Sequence, residues 1–209
     1  TYLGRQAGGR VLAGEIRRGS GEAIRAVIWA SDLRDFTGLS DRLPPERVID
    51  ILNAYFECAV GAVEAHGGEV LKFIGDGLLA IFPVPDVELA GVATGNALDA
   101  AKAALAGIDA LAGTPLLEGV GRLGAAVALH VGEAVYGNIG APNRLDFTVI
   151  GPAVNLATRV EQLSKRLGHR LLMTEDFAAA YRRELRSLGR QKVRGQGEEV
   201  EIFTLPEPI

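Results

Sequence analysis

The chain has 209 residues, of which 48% are hydrophobic and 23% are charged, and its net charge is −4. This length allows one full-sized domain or a domain with a short leader, and the composition is typical of a soluble globular protein. The weak negative charge argues against general binding to nucleic acid or to an acidic membrane surface. Cys58 is the only cysteine, which excludes a disulfide within the chain and predicts a reducing, cytoplasmic location.

No apolar run reaches the roughly 18 residues of a transmembrane helix, so none is expected. The chain opens with Thr1, and no signal-peptide pattern follows. We interpret it as a fragment of a longer protein. Residues 1–21 are glycine-rich and are predicted to be an N-terminal connecting segment, whereas residues 22–209 are predicted to form one folded domain.

The first half of the folded part predicts a strand, a helix and a hairpin. The apolar run Ala26–Trp29 predicts a central strand that ends at Asp32. Pro44–Pro45 is placed to open a helix with an apolar stripe at helical spacing. Two short runs, Val70–Ile74 and Leu78–Phe82, flank a Gly-Asp-Gly turn and predict a hairpin.

The second half predicts further helices and strands, which suggest an α/β sandwich with helices against a largely antiparallel sheet. The predicted elements are, in order, a helix at Val87–Gly113, strands at Arg122–Gly132 and Glu133–Ile139, a hairpin loop at GAPNRLD, a strand at Phe147–Ile150, a helix at Pro152–Leu167, a strand at Arg170–Met173, a helix capped by Thr174 and running to about Leu185, and a hairpin at Val193–Leu205 with a GQG turn.

Two aspartates fall at the same edge of this predicted sheet. Each alone has a simple structural explanation. Asp76 belongs to an Asp-Gly pair, which is common in hairpin turns, and Asp32 could be a loop or capping residue. Together they offer the oxygen ligands that Mg²⁺ prefers, and two ions about 4 Å apart can activate a hydroxyl and steady a leaving phosphate. Because the amides around Leu33–Thr37 enter a helix, where phosphates are favoured, the combination predicts phosphoryl chemistry on a nucleotide.

A lysine inside the predicted hairpin also needs an explanation. On a regular strand Lys72 shares a face with Val70 and Ile74 and lies opposite Leu71. A lysine on a buried face is costly unless it has a partner. The alternative is an edge-strand lysine whose stem reaches to water.

Three stretches, IWASDLRDFT, EVLKFIGDGLLAIF and RLDFTVIGPAVNLATRVEQL, together resemble the catalytic domain of class III nucleotidyl cyclases. The resemblance covers roughly Arg25 to Phe203, and the three motifs occur in the family's order and spacing. It implies an α+β fold with a ferredoxin-like, mostly antiparallel sheet and helices packed on it. It also implies a homodimer or pseudo-dimer whose active sites lie across the subunit interface.

The resemblance assigns Asp32 and Asp76 as the metal-binding aspartates for two Mg²⁺ or Mn²⁺ ions per site. The backbone carbonyl of Leu33 is implied as a further metal ligand, and Lys72 as a contact to the adenine ring. Because Lys72 and Asp76 are four residues apart, they are expected to serve opposite active sites of the dimer.

The second base-contacting position falls on Thr148. By resemblance, many adenylyl cyclases carry Asp here, a bacterial subgroup carries Thr, and guanylyl cyclases typically have Glu and Cys at the two positions. Lys72 can donate to the N1 acceptor of adenine, and Thr148 can accept from its amino group. The pair therefore predicts ATP as the substrate.

Asn155 and Arg159 match the family's transition-state pair within VNLATR. Their i, i+4 spacing places them on one helix face. Arg159 is implied to stabilise the charge that develops at the α-phosphate, and Asn155 to orient the ribose. Without that sequence context, a solvated helix face would be the simpler interpretation.

The triphosphate has four further candidate contacts. Arg194 aligns with a position where the family usually has a basic residue, and an arginine there keeps the charge and offers a fork. Arg144 is a second candidate, with loop solubility or a salt bridge to Asp146 as the alternative. Phe36 and Thr37 belong to the loop whose amides are expected to meet phosphate.

One residue departs from the family pattern. The family usually has glycine before the Phe-Thr of its first motif, and Asp35 occupies that place. Asp35 could restrict the backbone or add a repulsive charge beside the triphosphate, or it could cap the next helix.

The resulting hypothesis is an adenylyl cyclase that converts ATP to cyclic AMP and pyrophosphate. The alternatives are a guanylyl or dual-specificity cyclase, or a catalytically silent nucleotide-binding domain, although such domains usually lose an aspartate or the Asn/Arg pair. The expected partners are ATP, a second copy of the chain and an N-terminal sensor or regulatory domain in the full-length protein. No contact with nucleic acid or with a membrane is expected for this fragment.

Overall fold

The computed structural model describes residues 21–141 and 144–207, without the side chains of residues 140 and 144–147. The predicted connecting segment at residues 1–21 lies outside the described residues, except for Gly21, which begins the first strand. The elements, in chain order, are β1 (Gly21–Leu33), α1 (Phe36–Ser40), α2 (Pro45–Ala65), β2 (Glu69–Ile74), β3 (Gly77–Pro83), a 3₁₀ turn (Val87–Leu89), α3 (Ala90–Ala110), a 3₁₀ turn (Pro115–Leu117), β4 (Ala125–Ala141), β5 (Arg144–Ile150), α4 (Pro152–Glu161), α5 (Ser164–Leu167), β6 (Leu171–Thr174), α6 (Glu175–Tyr181), β7 (Arg186–Gln191) and β8 (Val200–Thr204).

One eight-stranded sheet organises the fold. Seven strands follow the order β2-β3-β1-β4-β6-β8-β7, and β5 pairs with β4. The pairing of β4 with β6 is parallel, and the other strand pairs in the described part of the chain are antiparallel. The predicted α/β class with a mostly antiparallel sheet is therefore confirmed.

The main core fills one face of the sheet, where α2 and α3 pack. Val27 and Trp29 of β1 point to this face and are fully buried, as are Ile51 and Tyr55 of α2. Alanines dominate the inner face of α3, so this helix approaches the sheet closely. Burial of each large apolar side chain in this layer contributes roughly 2 kcal/mol, which fixes the position of β1 and of the residues at its end.

A second cluster lies on the opposite face, under α4. Alternate residues of β1, Ala26 and Ile28, point this way and contact Ala153 and Ala157 of the helix. A Cβ added at Gly132 of β4 would lie 2.6 Å from the Cβ of Ala153. Glycine is therefore required there for α4 to approach the sheet, and this close packing fixes the helix that carries Asn155 and Arg159.

The same close packing explains one wrong prediction. The sequence predicted two strands that divide at Gly132, but β4 is one continuous strand of 17 residues. The predicted GAPNRLD loop is also largely strand, because β4 extends to Ala141 and β5 begins at Arg144. Gly132 makes room for a helix and does not interrupt the strand.

The end of the chain also differs from the prediction. The closing hairpin pairs β7 with β8, and Val193–Gly197 is a connection rather than part of a strand and its turn. The helix capped by Thr174 is confirmed, since the Thr174 hydroxyl accepts a hydrogen bond from the backbone N–H of Phe177. That helix ends at Tyr181 rather than near Leu185, because Arg182 adopts a left-handed conformation.

The helix predicted at Pro152–Leu167 is divided into α4 and α5. The backbone N–H of Leu163 bonds to the carbonyl of Val160, three residues back, which tightens the chain between the two helices. Among the described residues, no helix has both the length and the apolar character that crossing a membrane requires.

Candidate active site

The end of β1 and the β2–β3 turn bring Asp32 and Asp76 together. Ser31 pairs with Leu78 across the antiparallel β1–β3 ladder, so Asp32 lies beside the Gly-Asp-Gly turn. A Cβ added at Gly77 would lie 3.0 Å from the carbonyl oxygen of Ser31 and 3.4 Å from Oδ1 of Asp32. Glycine at this position therefore allows the turn to approach the strand end, as the sequence predicted for the two carboxylates.

The Asp76 carboxyl group lies close enough to act on the titration of Asp32. Burial and the charge of Asp76 raise the pKa of Asp32 to about 7, while a backbone hydrogen bond from Leu33 acts in the opposite direction. Two like charges this close favour a bound proton or a cation between them. Behind them the hydroxyls of Ser31 and Tyr55 are hydrogen-bonded at 2.9 Å, which fixes the strand end against α2.

This pair is suited to Mg²⁺ or Mn²⁺. The described residues contain no cluster of three His, Cys, Asp or Glu side chains that could hold a metal ion. Ligands beyond Asp32 and Asp76 would therefore come from the backbone, water and substrate oxygens, which is the coordination that Mg²⁺ favours. The carbonyl of Leu33 remains the predicted backbone ligand.

The sequence did not identify a third acid in this region. Glu161 of α4 is only 8% exposed and lines a cavity of about 180 Å³ together with Asp32 and Asp76. Burial, followed by the charge of Asp32, raises the pKa of Glu161 to about 7. One clue was available in the sequence, because Glu161 lies one helical turn beyond Ala157 on the apolar stripe of the helix.

A larger cavity of about 680 Å³ adjoins the acidic one. Three elements contribute the predicted polar residues that line it, namely Lys72 from β2, Asn155 and Arg159 from α4, and Arg194 from the connection between β7 and β8. Ile74, Leu79, Thr158 and Gln162 line both cavities. The residues predicted to contact base, ribose and phosphate therefore lie next to the residues predicted to bind metal.

A β-bulge determines the direction of Lys72. Val70 pairs with Ala80 and Lys72 pairs with Leu79, which leaves Leu71 without a partner in the ladder. Lys72 therefore lies on the face of the second cluster, together with Leu71, while Val70 packs on the main core. The prediction that Lys72 shares a face with Val70 is wrong, because the bulge reverses the alternation.

Thr148 lies in β5 beside the larger cavity. Its neighbours Val149 and Ile150 line that cavity, whereas Thr148 itself is not part of the lining. The residue is 3% exposed, and within the described residues its hydroxyl has no hydrogen-bond partner. A buried hydroxyl of this kind is available to a ligand group. The predicted contact of Thr148 to the base stays a prediction.

The other residues predicted to contact the triphosphate are Arg144, Phe36 and Thr37. Arg144 begins β5, and its side chain lies outside the described residues, so its predicted role stays a prediction. The ring of Phe36 packs against the main core, and Thr37 is exposed with its carbonyl accepting a hydrogen bond from Ser40 at 2.8 Å. Their predicted contribution through backbone N–H groups also stays a prediction.

Asp35 holds an unusual backbone conformation at the start of α1. Its φ is 57°, in the left-handed region, and it occupies the N-cap position without a side-chain hydrogen bond to the helix. The capping alternative is therefore wrong. The carboxylate instead accepts a hydrogen bond from Nζ of Lys165 at 2.6 Å, and this ion pair lowers the pKa of Asp35.

A model of a known protein family matches most of the chain. The model is described as "Adenylate and Guanylate cyclase catalytic domain" and matches residues 23–206.

Two curated relatives carry adenylate cyclase names. An adenylate cyclase of Anabaena cylindrica is 30% identical over 196 residues, which is 90% of this chain and 38% of that protein. The terminal-differentiation specific adenylate cyclase of Dictyostelium discoideum is 34% identical over 190 residues, which is 88% of this chain and 9% of that protein. The chain thus spans less than two thirds of the length of either relative.

Solved structures of both nucleotide specificities are similar to this fold. The adenylyl cyclase CyaB from P. aeruginosa superposes with a TM-score of 0.81 at 26% identity, covering 91% of this chain and 97% of that chain. The guanylyl cyclase Cya2 superposes with a TM-score of 0.72 at 28% identity, covering 90% of this chain and 96% of that chain.

Proposed function

The chain belongs to the family of adenylate and guanylate cyclase catalytic domains, and we propose that it is an adenylyl cyclase that converts ATP to 3′,5′-cyclic AMP and pyrophosphate. One observation carries the proposal. Asp32 and Asp76 line a cavity that adjoins the one lined by Lys72, Asn155 and Arg159, so the residues predicted to bind metal and nucleotide lie side by side, where a second copy of the chain could complete each site.

Asp32 and Asp76, with the carbonyl of Leu33, would hold two divalent cations, Mg²⁺ or Mn²⁺. When bound, such ions make the ribose 3′-hydroxyl easier to deprotonate and neutralise charge on the triphosphate. Because burial and the charge of Asp76 raise the pKa of Asp32 to about 7, a proton on the Asp32 carboxyl group would leave when the cations bind.

The remaining residues act on the nucleotide. In the reaction the ribose 3′-hydroxyl loses its proton to solvent and its oxygen forms a bond to the α-phosphorus. The bond from that phosphorus to the oxygen that bridges to the β-phosphate breaks, and pyrophosphate leaves. Arg159 would stabilise the charge that develops on the α-phosphate, and Asn155 would hold the ribose for in-line attack. Arg194 and Arg144, with the amides of Phe36–Thr37, would hold the departing phosphates.

Lys72 and Thr148 support ATP as the substrate. A lysine can donate only, which suits the N1 acceptor of adenine. The Thr148 hydroxyl, which has no hydrogen-bond partner among the described residues, can accept from the adenine amino group. The N1 of guanine carries a proton and would oppose a lysine. A guanylyl or dual-specificity cyclase is the second candidate, because the guanylyl cyclase Cya2 has the same fold at 28% identity.

We further propose that the active enzyme is a homodimer. Ile74 and Ile150 line the larger cavity and are 55% and 48% exposed, and the neighbouring Phe73 is 53% exposed. Apolar side chains exposed at the edge of a polar cavity are typical of a surface that a partner covers. A second copy of the chain would cover them and complete each site.

We also propose that the full-length protein contains a regulatory domain in addition to this chain. The curated relatives extend well beyond the length of this chain, which spans 38% of the Anabaena protein and 9% of the Dictyostelium protein. A sensor or regulatory domain in that additional sequence would control the association or alignment of the two catalytic copies.

A cyclic-nucleotide assay tests the proposal most directly. Purified protein is supplied with ATP or GTP, each with Mg²⁺ or Mn²⁺, at increasing protein concentration. We expect cyclic AMP and pyrophosphate in equal amounts from ATP, little product from GTP, and a specific activity that rises with protein concentration as dimers form. Cyclic GMP as the main product would favour the second candidate. ATP binding without product would contradict both.

A further inference from the structure

Gly195 lies directly against the guanidinium group of Arg159. A Cβ added at Gly195 would lie 2.7 Å from Nη1, 3.1 Å from Cζ and 3.2 Å from Nη2 of Arg159. The three distances are similar, so the backbone of the connection between β7 and β8 covers the end of this side chain. Any side chain at position 195 would occupy space that the guanidinium now holds.

Among the described residues, packing holds this arginine, and no salt bridge does. Within the described residues we find no hydrogen bond or ion pair made by the Arg159 guanidinium, and the side chain is half-buried. Gly195 itself is exposed and adopts a φ of +73°, which glycine tolerates and other residues rarely adopt. The connection can therefore bring bare backbone against the arginine.

We propose that Gly195 is a positioning residue for Arg159, and that the absence of a side chain at this position sets where the guanidinium meets the α-phosphate. The proposal rests on the cyclase function proposed above. It explains the role of an exposed connection in which only Arg194 had been assigned a function.

A substitution at Gly195 would lower the catalytic rate more than the folding stability. The crowded atoms are the far end of a flexible side chain, so Arg159 can move aside with little loss of folding stability. A displaced guanidinium would no longer match the charge that develops in the transition state, and displacements of about 1 Å can lower rates by up to about 100-fold. Arg194 holds phosphates that are present in substrate as well, so a disturbance of Arg194 would raise KM instead.

Gly189 provides a matched control. Its φ of +77° is close to that of Gly195, it belongs to the same end of the chain, and a Cβ added there would meet nothing within 4 Å. Gly195→Ala and Gly189→Ala should therefore show a similar drop in thermal midpoint from backbone strain. Only Gly195→Ala should lose activity, with kcat roughly 10- to 100-fold lower and KM for ATP within about twofold of the original value.

Two results in this comparison would overturn the proposal. One is an equal loss of kcat in both alanine variants, which would show that backbone strain is the cause. The other is a raised KM with an unchanged kcat in Gly195→Ala, which would show that the substitution acts through Arg194. In an Arg159→Ala background, Gly195→Ala should produce no further loss of kcat, and an independent additional loss would also overturn it.

A measurement without catalysis separates this proposal from the proposed function. The Nε–H signal of Arg159 in the NMR spectrum is assigned by its absence in Arg159→Ala. It should shift in Gly195→Ala and stay in place in Gly189→Ala. An unmoved signal in Gly195→Ala would reject the positioning role even if the protein cyclises ATP, whereas a wild-type protein without cyclase activity would reject the proposed function alone.

Discussion

Burial and the neighbouring Asp76 raise the pKa of Asp32 to about 7, so the Asp32 carboxyl group is partly protonated near neutral pH. In the unfolded chain the Asp32 pKa returns to its ordinary value of 3.8. Between these two values the folded protein binds more protons than the unfolded chain. The stability linked to this group is therefore present at low pH and is lost as the pH rises toward 7.

We expect this loss to appear in thermal unfolding with a chelator present. The thermal midpoint should fall between pH 5 and pH 8, and excess Mn²⁺ should restore it at pH 8, because the cation binds the ionised carboxylates of the folded protein only. Asp32→Asn should show a smaller fall and no response to Mn²⁺. Some fall will remain, since burial also raises the pKa of Glu161 to about 7. Identical pH profiles for both proteins would contradict the assignment.

Asp35 stands where the family usually has glycine, and substitution of this residue tests its effect on ATP binding. Asp35→Gly removes a negative charge beside the predicted phosphate contacts and places glycine at a φ of 57°. We expect KM for ATP to fall severalfold with no loss of thermal stability, because glycine favours this conformation. Lys165→Met serves as the control, since it removes the same ion pair but leaves the acid. It should raise KM, and a fall in KM in both variants would contradict the explanation.

At the scale of elements, strands and helices with strong apolar patterns could be predicted from the sequence. The β2–β3 hairpin and the helix opened by Pro45 are in the predicted places. Edge strand β7 was missed because it is polar and irregular, with a register shift between Ser187 and Arg190. The bulge at Leu71 was also missed, since a period of two residues contains no sign of an inserted residue.

The end of α6 gives an element-scale prediction. Arg182 terminates this helix with a φ of 56°, and its backbone N–H bonds to the carbonyl of Ala178. A left-handed conformation costs an ordinary residue about 1–2 kcal/mol, and part of that is offset because glycine loses more entropy on folding. Arg182→Gly should therefore raise the free energy of unfolding by about 0.5 kcal/mol.

Denaturant unfolding of Arg182→Gly beside Glu184→Gly measures this effect. Glu184 follows the helix in the described chain without a positive φ, so glycine at that position has no strain to relieve. Arg182→Gly should be more stable than the parent protein, and Glu184→Gly less stable. Cyclase activity should be unchanged in both, because neither residue lines the two cavities of the site.

At the scale of the whole molecule, the motifs predicted which residues come together. They did not predict which side chains from other elements pack against those residues. Asp32, Asp76, Lys72 and Arg159 were predicted from motifs, and the sheet and α4 bring them to two adjoining cavities. Glu161 and the packing of Arg159 on Gly195 depend on contacts between elements far apart in the chain. The place of Glu161 on the apolar stripe of its helix was a clue to its burial, but such a pattern does not show which distant residues it faces.

The two adjoining cavities also leave two ways to build a site. One chain could supply both the acidic pair and the base-contacting residues, since Ile74, Leu79 and Gln162 line both cavities. The proposed homodimer instead joins the acidic cavity of one copy to the larger cavity of the other. Single substitutions cannot distinguish these two arrangements, because the acidic pair and the base-contacting residues are required in each of them.

Mixing two inactive variants separates them. Asp32→Ala and Lys72→Ala should each be nearly inactive alone, because every site in either homodimer lacks one essential group. When the two proteins are mixed and exchange subunits, the mixed dimer contains one intact site, and ATP cyclisation should recover toward one quarter of the wild-type activity at equal mixing, roughly as random pairing gives. Continued inactivity in a sample shown to contain mixed dimers would contradict the shared site.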